Sequence, residues 1–196
     1  MRAWLIALLV TTLLPGCAGL QREANPTVWL ALEPALPAGG ARAGAPSLEV
    51  EAFATAAAFR STQVSTREGT SRWSFTNYHR WVSEPGEMVA AAARDYLSRS
   101  DLFGAVFTPP GPVTADYRLS GAVRSLFWDR ERRTAVLEVE VSLIALPDAL
   151  RGFWIYRREV PVETADVQAY LRAASSALEL VLADLRRDIA ERSTIR

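Results

Sequence analysis

Lysine is missing from the 196 residues: all 22 basic positions are arginine, and 22 acidic residues cancel them to a formal net charge of zero. A nucleic-acid-binding surface wants a basic excess, so no nucleic-acid partner is expected. The all-arginine set reads as the bias of a GC-rich genome before it reads as function. Histidine occurs once, at His79, and cysteine once, at Cys17. A zinc site draws on several nitrogen or sulfur ligands, so no metal centre is expected. No G-x-S-x-G elbow, Walker A loop, G-x-G-x-x-G turn or H-E-x-x-H helix occurs. A Ser-His-Asp triad would have to use His79, which stands between Tyr78 and Arg80 with nothing in the sequence to supply triad geometry. The chain therefore reads as neither an enzyme nor a cofactor binder. Long apolar runs are absent too. The mostly apolar stretch Ala3 to Leu14 falls short of the roughly 20 residues that a membrane-spanning helix needs.

That short stretch has another use. Arg2 gives it a positive start, and it ends in Leu14-Pro15-Gly16-Cys17. A charged residue, a short apolar segment and a small-residue cleavage site make a secretory signal peptide. Its end resembles a bacterial lipobox, in which the cysteine becomes the first mature residue and carries lipid. Residues 1–16 are thus read as signal peptide, Cys17 as the lipidation site and 17–26 as a lipidated tether. One acyl chain holds a protein only marginally, whereas several hold it in practice permanently. With Cys17 acylated no disulfide can form, and the fold must rest on its core. Ala18, rather than Asp, follows the cysteine. In the common sorting pattern this resembles an outer-membrane address on the periplasmic face, with the inner membrane the lesser choice.

Residues 27–196 fit one domain by length. The chain is 49% hydrophobic with six tryptophans, ample for a packed core. Thr27 to Leu32 and Leu48 to Ala54 read as strands, separated by a Pro/Gly/Ala loop from Glu33 to Pro46. A polar strand pair turns near Glu68-Gly69, with Trp73 to Tyr78 as the return. Ser83 and Pro85 mark a helix start, and Met88, Val89, Ala92, Tyr96 and Leu97 recur at helical spacing until about Ser100. The clearest strands are Ala115 to Trp128 and Thr134 to Leu146, where apolar residues fall on odd positions. With Asp129 to Arg133 as the loop, Val123 faces Val139 and Arg124 faces Glu138; a one-residue slip would turn the apolar faces to solvent. Phe153 to Val162 is a third strand. A long helix runs from about Ala165 to Glu191, with Asp166 suited to its N-terminal end. The expected fold is α+β: an antiparallel sheet with two helices packed on one face.

Glu138 and Glu140 share a strand face, where cross-strand pairs with arginine explain them better than acid–base chemistry does. Trp73, Phe75, Tyr78 and Trp81 suit a partner surface or the core, and about two of them should be buried. In the proposed register Leu126, Trp128 and Val136 share the polar face, and they form the candidate exposed patch for partner binding.

Tyr78-His79-Arg80-Trp81 before Glu84-Pro85, the helix opening Met88-Val89, the run Leu97 to Phe103, the strand opening Ala115 to Gly121 and an Ala-rich closing helix stand in a particular order. From Trp73 to the C-terminus the chain resembles the ABC-type transport auxiliary lipoproteins, which include the PqiC-like proteins. The resemblance implies a non-enzymatic lipoprotein held in the membrane by acylated Cys17. Its partners would be an MCE-type protein, an ABC permease and an ATPase that move lipids or other hydrophobic compounds across the envelope. Either an exposed strand edge or the Trp128 patch is expected to hold the partner. An outer-membrane assembly or envelope-structural lipoprotein is the alternative, and a homo-oligomer fits either reading.

Overall fold

The computed structural model describes residues 25–111 and 113–193; Cys17 and most of the tether lie outside them. Nine strands form one sheet: β1 (Val28–Leu30), β2 (Ser47–Val50), β3 (Ala54–Thr55), β4 (Gln63–Glu68), β5 (Arg72–Trp81), β6 (Ala105–Phe107), β7 (Tyr117–Asp129), β8 (Thr134–Ala145) and β9 (Ala149–Pro161). Among the described residues two α-helices accompany it, α1 (Pro85–Leu97) and α2 (Val167–Ser193). The domain is α+β as expected.

The sheet is built around β7. On one side β7 pairs antiparallel with β8 along its length, and β8 pairs antiparallel with β9. On the other side three short strands follow one another beside it, all parallel: β2 at Leu48↔Tyr117, β3 at Thr55↔Val123 and β4 at Arg67↔Asp129. Beyond β4 lie β5 and then β1; beyond β2 lies β6. The sheet is therefore mixed rather than wholly antiparallel, because the chain from Ser47 to Glu68 runs alongside β7 in the same direction.

The main core lies between the sheet and the helices. β7 supplies Leu119 and Val123; β8 supplies Leu137, Val139, Val141 and Leu143. Helix α2 adds Tyr170, Ala174, Leu178, Leu182, Leu185 and Ile189, all fully buried and recurring at helical spacing. Each large aliphatic side chain buried this way stabilises the fold by roughly 1.5–3 kcal/mol relative to exposure. Pro85 opens α1 at the first turn, where its missing N–H leaves no bond unmade. The next residue is pressed against β3: a Cβ on Gly86 would meet the Phe53 carbonyl oxygen at 2.2 Å, and its N–H donates to Thr55 Oγ1 at 2.9 Å. Asp166 caps α2 by accepting the Ala169 N–H at 2.8 Å.

One irregularity changes the expected picture. Val123 pairs with Val139 as the alternation requires, but the next partners are Ser125 and Glu138, which leaves Arg124 as the extra residue of a bulge. Beyond it every side chain changes face. Leu126 and Trp128 turn into the main core; Trp128 is 3% exposed and stacks on Tyr170 with ring centroids 5.7 Å apart. Phe127 and Val136 turn to the outer face and are buried with Phe59 in a second, small cluster. The expected exposed patch of Leu126, Trp128 and Val136 is corrected accordingly: all three are buried, and they fall on two different faces. Arg124 reaches Glu140 at 3.4 Å instead of facing Glu138.

Candidate functional site

With those three residues inside, exposed apolar surface has to be sought at the sheet's edges. The longer edge is β9, which among the described residues pairs only with β8. Its alternation explains its two faces. Trp154, Tyr156 and Arg158 turn toward α2. The buried Tyr156 hydroxyl donates to Asp188 Oδ2 at 2.7 Å; burial first, and the Asp188 carboxylate second, push that phenol above its ordinary range. Arg158 pairs with Asp184, whose other oxygen holds Arg187 at 2.7 Å. The inner face of β9 is thus fixed to the helix by an aromatic and ionic seam.

The outer face differs along its length. Toward Pro161 it is ionic: Arg157 reaches Glu138 at 2.9 Å and Glu159 at 2.7 Å. Toward Ala149 it is apolar. Leu150, Phe153 and Ile155 are 64%, 50% and 58% exposed, beside Ile144, Ser142 and Glu140 on β8. An open strand edge with large apolar side chains beside it suits an added strand, which would bond to the backbone while the side chains choose the partner. Arginine side chains reach two carbonyls near its ends, Arg158 to that of Arg157 at 2.8 Å and Arg192 to that of Arg151 at 3.4 Å. The stretch between them, Gly152 to Tyr156, is the candidate site. The sequence places it in the expected third strand, and its signal was the unbroken run Phe153-Trp154-Ile155-Tyr156, which leaves neither face polar.

At the other edge, Trp81 is buried in the core, whereas Trp73, Phe75 and Tyr78 are exposed by almost half. One of the four is buried rather than two. Trp73 is nevertheless held by edge contacts with Phe59 and Phe127, at 5.6 and 4.9 Å between centroids. The two halves of the sheet meet at Arg67 and Asp129. The buried Asp129 carboxylate accepts from Arg67 Nη2 at 2.5 Å and from the Arg132 N–H at 3.0 Å. Burial raises its pKa, but these donors outweigh burial and hold it below the usual carboxylate range. His79 lies opposite Val28 in the β1–β5 pairing. Among the described residues no group of three His, Cys, Asp or Glu side chains is placed to hold a metal ion, and no helix is long and apolar enough to cross a membrane.

A family model described as ABC-type transport auxiliary lipoprotein component matches residues 30–186. The crystal structure of a Xanthomonas campestris protein of the DUF330 family superposes with a TM-score of 0.66 at 19% identity, covering 86% of this chain and 97% of that one. An uncharacterised protein of known structure gives 0.68 at 16% identity, covering 84% and 99%. These likenesses show the shared fold. No curated protein matches the chain.

Proposed function

The chain belongs to the ABC-type transport auxiliary lipoprotein family, and from that membership we propose that it is a non-enzymatic subunit of an ABC/MCE-type transport system. Acylated Cys17 anchors it to the outer membrane on the periplasmic face. From there it docks the periplasmic part of a machine, comprising an MCE-type protein, a permease and an ATPase, that moves lipids or other hydrophobic compounds between the membranes. The observation that carries the docking role is the open, apolar edge of β9.

The mechanism is positional. The lipid confines the domain to the membrane surface, and the β9 edge then meets its partner within the reach of the tether. Confinement raises effective concentration, so a modest strand-to-strand affinity suffices. Co-purification of the full-length protein in mild detergent, followed by mass spectrometry, tests this. Recovery of permease, ATPase or MCE components is expected. Recovery of outer-membrane assembly components alone, under conditions that preserve known envelope complexes, would favour the alternative of an assembly or envelope-structural lipoprotein.

A further inference from the structure

The tether enters the fold at β1, and the surface beside that entry has its own character. Leu30 and Trp81 are paired partners in the core, so the preceding pair, Trp29 and Arg80, faces the other way. Phe75 pairs with Ser65, and Trp73 with Arg67, whose guanidinium lies over the outward-facing Phe127 ring; this places Phe75 on the same outer face. Trp29 is 59% exposed and Phe75 46%, and among the described residues Arg80 makes no ion pair. A large indole, a phenyl ring and an unpaired cation thus share one face at the edge where the chain arrives.

From these positions we infer that the outer face of the β1–β5 edge, through Trp29, Phe75 and Arg80, rests on phospholipid headgroups beside the anchor. The inference rests on the lipidation of Cys17 proposed above. Ten residues separate Cys17 from Val28, eleven Cα steps that even when extended reach no more than about 40 Å. Trp29 is therefore never far from the bilayer, and a weak contact is populated because it is intramolecular in effect. Tryptophan settles at the headgroup level, where its ring is half in hydrocarbon and half in water. Arginine beside it is drawn to anionic lipid. The apolar strip of β9 lies at the opposite edge; its outer face carries no tryptophan, and its arginine, Arg157, is held by Glu138 and Glu159. Five strand-to-strand steps, about 24 Å along the sheet, separate β9 from β1.

The test uses the full-length lipidated protein in vesicles of phosphatidylethanolamine and phosphatidylglycerol. With Cys17 sulfur occupied by lipid, Trp29→Cys, Phe75→Cys and a reference Leu150→Cys each offer a single free thiol for a spin label. Vesicle flotation and collision with a water-soluble nickel chelate are then measured. Floating protein in which the labels at 29 and 75 collide with nickel roughly threefold less than the label at 150 is the expected result. Floating protein with equal collision rates at all three positions overturns the contact and leaves the anchor standing. Protein that does not float overturns both. Protection should shrink in vesicles of phosphatidylcholine alone; protection indifferent to lipid charge would overturn the part assigned to Arg80.

Discussion

The two ends of this sheet differ in strand length and in the side chains they expose. At one end β1 is three residues long and carries an exposed tryptophan where the chain enters the fold. At the other, β9 is 13 residues long, fixed to α2 on its inner face, apolar on its outer face toward Ala149 and ionic toward Pro161, with an edge that pairs with nothing beyond it among the described residues. β1 itself offers little backbone to a partner strand but a ring suited to an interface, although β5 beside it is uncovered from Arg72 to Tyr78 among the described residues. The long edge offers backbone and side chains together. Exposed apolar area alone would not separate them. In the proposal above, position along the chain relative to Cys17 assigns the β1 edge to the membrane and the β9 edge to a protein.

Substitutions test that contrast with graded consequences. The largest effect is expected at Trp128, which belongs to neither edge. Trp128→Ala empties a buried site against Tyr170 and should destabilise the domain by about 3–5 kcal/mol in urea denaturation. A loss of docking with unchanged stability would instead restore Trp128 to the surface.

Next comes the seam that holds the two halves together. Asp129→Ala removes the acceptor for Arg67 and for the Arg132 N–H, at a cost of roughly 2 kcal/mol. The same seam responds to pH. A carboxyl titrates near 4 in an unfolded chain, and that of Asp129 is depressed in the fold. Its contribution is therefore whole above about pH 4 and is lost as pH falls through the lower folded value. Wild-type stability followed from neutral to acid pH should show this loss, and the Asp129→Ala profile should be flatter by that component.

Much of this was legible in the residues. The β7–β8 alternation and the α2 stripe follow periods of two and of about 3.6, which backbone geometry imposes. The bulge was the costly omission. Its one local sign is that alternation stalls at Arg124-Ser125 and resumes as Leu126-Phe127-Trp128, three apolar residues together. Two buried faces, one under α2 and one under Phe59, explain that run. The parallel pairing of β2, β3 and β4 with β7 left no comparable sign, because it depends on contacts far apart in sequence. The open edge of β9 was likewise hidden: sequence shows a strand, and only topology shows that nothing pairs beyond it among the described residues.

Smaller effects separate the edges directly. Ile155→Lys puts a cation opposite Glu140, which the fold accommodates, while a charged edge resists strand addition. Partner affinity in detergent should fall about tenfold, or roughly 1.4 kcal/mol, with melting temperature nearly unchanged. Trp29→Ser should be smallest of all, within about 0.5 kcal/mol of wild-type stability, and should leave transporter recovery intact. Loss of the transporter in Trp29→Ser alone would exchange the roles of the two edges.

The most direct measurement installs a photo-crosslinking side chain at Ile155 or at Trp29 in the lipidated protein and irradiates intact cells. The expected outcome is a protein adduct containing an MCE or permease component from position 155, and a lipid adduct without protein from position 29. A transporter adduct from position 29, with only solvent quenching at 155, would contradict the assignment of partner to β9 and membrane to β1.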